Sequence, residues 1–358
     1  MRKFYLDNIR WITVLMVVIY HVFFIFNSVI PDMGMPFHEG QYQDIVLYIL
    51  YPWFMILLFI VSGMSARYYL EKHSLKDFVR SRTRKLLVPS TIGLFAVGWI
   101  QGYISMLISG AFETMHNAVP DVVMYFILVL SGTGVLWFVQ LLWLFSMVLV
   151  IVRHFERGKI YAMTEKTGMM GIIFLVVPLW LSGLILNLPV ITVYRFGIYS
   201  AAFFLGYFLF AHDAVIERIS RWRYAFIAAA VILGAVYVFL HFGENYAAMP
   251  VMGSFSAVCF AWTAILAIFG SAKAWMDRTS ALSEFMRKKS WGIYIFHYPA
   301  MSATAYLLRQ YTAFRELPCY LLSGAAAIFG SLIVHEIIAR APFFRWCMLG
   351  IGRGDSRV

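Results

Sequence analysis

The 358-residue chain is 62% hydrophobic and only 13% charged, whereas an ordinary soluble domain carries about a quarter charged residues. Its formal charge of +11 sits in short clusters between long apolar runs, which excludes a soluble enzyme, a nucleic-acid reader with a solvated basic face and a disordered tail. The composition predicts an all-α, polytopic membrane protein.

A helix needs about 20 mostly apolar residues to cross the hydrocarbon layer. By that rule ten spans are predicted, at 11–30, 44–70, 86–108, 136–152, 169–188, 194–211, 224–241, 251–272, 290–308 and 317–338. The basic start and apolar run of the first resemble a signal peptide. Its length and the lack of a small-x-small cleavage site make it a retained span instead. The second is long enough to tilt or to run past the bilayer. Val122–Leu130 is too short to cross and reads as re-entrant or interfacial.

The loops orient the bundle. With the N-terminus taken as cytoplasmic, 25 of the 29 Lys and Arg residues fall in inside loops and only Arg309 and Arg315 fall outside, while Arg67 and Arg195 lie within or at the ends of spans. This bias predicts that both termini are cytoplasmic. Residues 1–358 read as a single membrane domain with no soluble domain attached, and Phe343, Phe344 and Trp346 in the basic tail suit an interfacial anchor. Cys259, Cys319 and Cys347 show neither pair nor metal-ligand spacing.

Ionisable groups inside a bilayer are costly and read as functional by default. On the first span, Arg10 and His21 are eleven residues apart, a rise of about 16 Å and close to three full turns. Both therefore share one helix face, with a cation at the cytoplasmic mouth and an imidazole near the midplane. A neutral imidazole there can take a proton from a hydroxyl. In the loop Lys72–Lys85, the cations Arg80, Arg82, Arg84 and Lys85 precede Leu86-Leu87-Val88-Pro89. They serve either topology alone or the phosphates of a cytosolic ligand, since guanidinium groups bind phosphate bidentately. His297 is followed two residues later by Pro299, so it is either a partner for freed backbone groups or part of a site. Glu336, four residues before Arg340, reads as half of an interfacial helical ion pair. The scattered histidines give no metal site, and no Gly-rich phosphate loop, G-x-S-x-G elbow or H-E-x-x-H motif is present.

Asp7-Asn-Ile-Arg10 followed after ten residues by His21 resembles the N-terminal signature of the acyltransferase 3 family of integral membrane acyltransferases. Phe59-Ile-Val-Ser62-Gly63, the basic loop with Arg82 and Lys85 before Leu86-x-x-Pro89, Leu136-Trp137-Phe138, Phe203-Phe-Leu-Gly206 and Gly292-Ile-Tyr294-Ile-Phe-His297 agree with the family in order and spacing. The chain departs from it in Lys85, where Arg is common, and carries no fused hydrolase-like domain. The resemblance implies transfer of an acyl group, acetyl or succinyl first among the candidates, from cytosolic acyl-CoA to a hydroxyl of a carbohydrate or other envelope or exported acceptor. Polysaccharide O-acetylation is one such reaction. By position, His21 would be the base or acyl carrier and Arg10 its partner. Arg82 and Lys85, with Arg84 beside them, would contact the CoA phosphates, and Ser62, Tyr294 and His297 would line the site. No permanently bound cofactor, metal or nucleic acid is implied, and the short loops suit a bacterial inner membrane. The alternative is a proton-coupled transporter or flippase with His21 as relay. Against it, no repeated halves are visible and the span interiors offer little acid beyond Glu336.

Overall fold

In the computed structural model, which describes residues 2–30, 33–116, 118–188 and 193–352, the chain is helical almost throughout, with one isolated backbone bridge between Asn187 and Arg195. Among the described residues, seven helices are long and apolar enough to cross a membrane. They are Phe4–Phe24, Tyr42–Leu70, Leu75–Ile108, Leu136–Glu156, Arg223–His241, Phe255–Trp275 and Glu316–Arg340, and they match seven of the ten expected spans.

The other three expected spans are present in altered form. The sixth is Phe196–Phe210, which turns by 97° into Asp213–Arg221. That second helix carries Asp213, Glu217, Arg218 and Arg221 on one side and buries Val215, Ile216 and Ile219 on the other, the pattern of a surface-lying amphipathic helix. The fifth is short, running as Met169–Phe174 and Val176–Gly183 with a break at Leu175. The ninth lies within Ala281–Tyr311, a continuous 31-residue helix with Pro299 inside it, whose polar middle keeps it out of the apolar set. Val122–Leu130 falls in an 11-residue helix, Asp121–Ser131.

The chain falls into two compact units. The first comprises residues 1–13, 47–80 and 144–287. Within it, Arg223–His241 packs along Phe255–Trp275, and Phe54–Leu70 packs along Phe196–Phe210. That second crossing is set by two glycines. A Cβ on Gly63 would lie 2.0 Å from the Phe203 carbonyl oxygen, and one on Gly206 would lie 2.0 Å from that of Ile60. Bare backbones therefore touch, the small-residue packing typical of helices in lipid. Phe59, Phe145, Tyr199 and Phe203 fill the space beside the crossing, with ring centroids 4.8–6.2 Å apart.

The second unit comprises residues 14–46, 81–143 and 288–358. Pro89 has no amide hydrogen to donate, and the helix around it opens into wide π-type turns over Thr83–Leu87 and Pro89–Gly98. The hydroxyls of Ser90 and Thr91 donate to the carbonyls of Leu86 and Leu87. Further along, Gly98, Gly102 and Gly132 bring Trp99–Ile108 against Asp121–Ser131. A Cβ on Gly102 would sit 1.7 Å from the Leu128 carbonyl oxygen. The short helix Pro342–Leu349 buries Cys347, Met348 and Leu349 and leaves Phe343 and Phe344 exposed. It ends at Gly350, whose positive φ of 66° lets its backbone rest on Arg84 and Lys85.

Candidate active site

Two clusters hold several of the polar groups singled out in the sequence, one in each unit. In the second unit, His21 on Phe4–Phe24 meets His297 on Ala281–Tyr311, with His21 Nδ1 3.1 Å from His297 Nε2. His297 is fully buried, and its Nδ1 lies 3.0 Å from the Ile293 carbonyl oxygen and 2.8 Å from that of Tyr294. His21 is half-buried, and its ring lies edge-on to Tyr298 at 4.9 Å and to Tyr20 at 5.1 Å. The Tyr294 hydroxyl donates to the Val135 carbonyl at 2.7 Å, and the ring of Tyr294 packs edge-on against Phe138. Three of the expected site residues, His21, Tyr294 and His297, are thus gathered, beside the Leu136-Trp137-Phe138 segment. On the same helix as His297, Ser302 donates to Gln101 Oε1 at 3.0 Å with both side chains buried. Tyr298, Gln101 and Ser302 drew no notice in the sequence. Only the adjacency of Tyr298 to His297 could have flagged one of them.

The first unit holds the N-terminal signature. Asn8 Nδ2 donates to the carbonyls of Met276 and Arg278 at 2.7 and 3.0 Å, while Asn8 Oδ1 accepts from Trp11 Nε1 and Ser283 Oγ. Asp7 accepts from Arg2 at 2.6 Å and stands 3.5 Å from Arg10. Arg10 Nη2 donates to Ser65 Oγ at 2.7 Å, and Ser65 in turn donates to the Val61 carbonyl. Ser65, one turn beyond Ser62, is the serine that contacts Arg10.

Arg10 opens onto a cavity of about 960 Å³, whose charged lining sets Arg2, Lys3, Arg10, Lys72 and Arg287 against Asp7, Glu71, Glu165 and Asp213. Lys3 pairs there with Asp213. On another wall, Tyr161 lies between the Arg67 guanidinium, 3.5 Å from its ring centre, and the His212 ring at 3.8 Å. Burial pushes the Tyr161 phenol up from its ordinary value, against the opposing pull of Arg67. The cavity combines cations with aromatic faces, a lining able to receive a phosphorylated or planar polar group.

Arg82, Arg84 and Lys85 lie at the start of the wide turns in the second unit. Arg82 and Arg84 are half-buried and Lys85 is exposed. They do not line the cavity beside Arg10. The Glu336 expectation needs correction, because its carboxylate pairs with Lys289 on the neighbouring helix rather than with Arg340 one turn along. A local i,i+4 spacing gives way here to a tertiary partner. Next to it, His335 packs flush against Gly292, where a Cβ would lie 2.1 Å from the imidazole Nδ1. Among the described residues, no three His, Cys, Asp or Glu side chains converge as metal ligands.

Comparison with known proteins adds one match. A family model described as an acyltransferase domain, that of the acyltransferase 3 family, covers residues 3–336. No curated protein and no solved structure matches the chain. The matched segment runs from the Asp7–Arg10 signature to Glu336, taking in both clusters, and the chain belongs to the acyltransferase 3 family of multi-pass membrane acyltransferases.

Proposed function

We propose that the protein transfers an acyl group from cytosolic acyl-CoA to a hydroxyl of a carbohydrate or other envelope or exported acceptor, with His21 as the group that handles the acceptor's proton. The observation that carries this reading is the His21–His297 pair inside the helical bundle. An imidazole held in that setting is a base fitted to a hydroxyl, and hydroxyls are the acceptors an acyltransferase needs. As the acceptor oxygen attacks the thioester carbonyl, its proton passes to His21 and a C–O bond forms. Collapse of the tetrahedral adduct then breaks the C–S bond, and the proton leaves with the CoA thiolate. In a two-step variant His21 itself takes the acyl group before the acceptor arrives.

Donor binding is assigned by charge. The phosphates of acyl-CoA require fixed cations facing the cytosol, and the chain offers two sets: Arg82 with Lys85, and the cavity beside Arg10. A low-water site around His21 protects the thioester from hydrolysis. Acetyl and succinyl are the acyl groups proposed first, and a bacterial inner membrane is the proposed location.

His21→Ala tests the reading. Purified variant protein is expected to elute and melt like the wild type while acyl-CoA consumption tied to an acceptor falls to background. Near-wild-type turnover in that variant removes His21 from the chemistry. Acceptor-independent substrate uptake into proteoliposomes, without acyl-CoA, establishes the transporter reading instead.

A further inference from the structure

The hydrogen bonds of His297 fix where the protons of both histidines sit. A carbonyl oxygen only accepts, and His297 Nδ1 faces two of them, Ile293 and Tyr294, at 3.0 and 2.8 Å. That nitrogen must therefore carry hydrogen. In a neutral ring the other nitrogen, Nε2, then presents a lone pair, and it points at His21 Nδ1 from 3.1 Å. For this contact to be a hydrogen bond, His21 Nδ1 must be the donor. The lone pair of His21 is then on Nε2, the nitrogen turned away from His297. The opposite arrangement requires a His297 imidazolium, and a buried cation is costly to hold there, since the His297 ring meets two carbonyls, His21 and aromatic rings, and the His21 ring meets the Val17 backbone one turn earlier, His297 and aromatic rings.

We propose that His297 is a positioning residue that sets the tautomer of His21, so that His21 Nε2 is the nitrogen that meets the acceptor hydroxyl. The arrangement rests on the acyl-transfer reading and deepens it. Two backbone carbonyls and a neutral imidazole do the orienting that a carboxylate does in a Ser-His-Asp triad. In the transfer step the acceptor's proton moves to Nε2 while the Nδ1–H bond stays intact, donated throughout to His297. The imidazolium formed on His21 is stabilised by that donated bond, and among the described residues no carboxylate is hydrogen-bonded to either ring. If His21 instead carries the acyl group, the same Nε2 is the nucleophile. The rings of Tyr298 and Tyr20 pack against the imidazole at 4.9 and 5.1 Å.

The test separates this proposal from the reading beneath it. In protein labelled with ¹⁵N-histidine, with His21→Ala used for assignment, His21 is expected to show a protonated Nδ1 and an unprotonated Nε2. In His297→Phe the Val17 backbone alone is left to hold the His21 ring, so the share of His21 carrying its hydrogen on Nδ1 is expected to fall, and kcat is expected to fall by about 10²-fold or more at an unchanged KM for acyl-CoA. His297→Gln can present an amide oxygen near the lost Nε2 and is expected to recover most of that loss, which a merely space-filling role would not produce. A wild-type His21 carrying its hydrogen on Nε2 overturns the proposal. So does a His297→Phe enzyme with wild-type kcat alongside an inactive His21→Ala. Turnover retained in His21→Ala overturns the catalytic reading instead, and the nitrogen shifts then still decide the tautomer.

Discussion

Asn8 uses every hydrogen-bonding position of its amide. Both hydrogens go to backbone carbonyls of the segment after Phe255–Trp275, and the oxygen accepts from an indole and a hydroxyl. The residue ties the start of the first helix to residues 276–283. Asn8→Ala leaves a buried Ser283 hydroxyl and two carbonyls without their partner, an expected loss of about 1–3 kcal/mol. It should appear as a lower melting temperature in detergent. Arg10 is held from two sides, by Asp7 and by Ser65. The first neighbour was not singled out in the sequence, although residues three apart on a helix meet. Nor was the second, because Ser65 is 55 residues away and one turn from the serine that the signature Phe59–Gly63 brings to notice. His21 and His297 make the same point across 276 residues of sequence. Each histidine was visible alone, and the contact that gives them a joint chemistry belongs to the fold.

At the scale of elements, the sequence signatures divide into chemistry and packing. Phe59–Gly63 and Phe203–Gly206 resemble functional motifs, yet they are the two faces of one helix crossing, with Gly63 and Gly206 at the point of contact. The Gly98, Gly102 and Gly132 contacts do the same for the short helix Asp121–Ser131. Gly102→Val places a branched side chain where even a Cβ meets a carbonyl at 1.7 Å. It is expected to cost about 1–3 kcal/mol or more through overpacking, read as a lower melting temperature and poorer recovery in detergent. Most spans were legible because about twenty apolar residues in a row leave few alternatives to a crossing helix. The departures come from local backbone events that hydropathy does not register. They are the break at Leu175, the 97° turn before Asp213 and the wide turns around Pro89.

Across the whole molecule, one family accounts for residues 3–336, and two sets of cations compete for the proposed donor. Saturable stabilisation by acetyl-CoA, about 2.7 kcal/mol at 100 times its dissociation constant, is the expected result of a melting titration. On the assignment made by resemblance, Arg82→Ala/Lys85→Ala abolishes the shift. A shift kept in that variant and lost in Lys72→Ala/Arg287→Ala assigns the phosphates to the cavity beside Arg10.

The helix Ala281–Tyr311 has a consequence for how the protein is made. It carries His297, Tyr294, Tyr298 and Ser302, and it is not among the seven helices apolar enough to cross on composition. Machinery that sorts emerging segments by hydrophobicity reads such a helix poorly. Its entry into the bilayer is therefore expected to depend on polar partners already there, His21 from the first helix and Gln101 from the third apolar segment among them. The polarity that suits this helix to chemistry is expected to make residues 281–311 insert poorly when tested alone and well when the preceding helices are present.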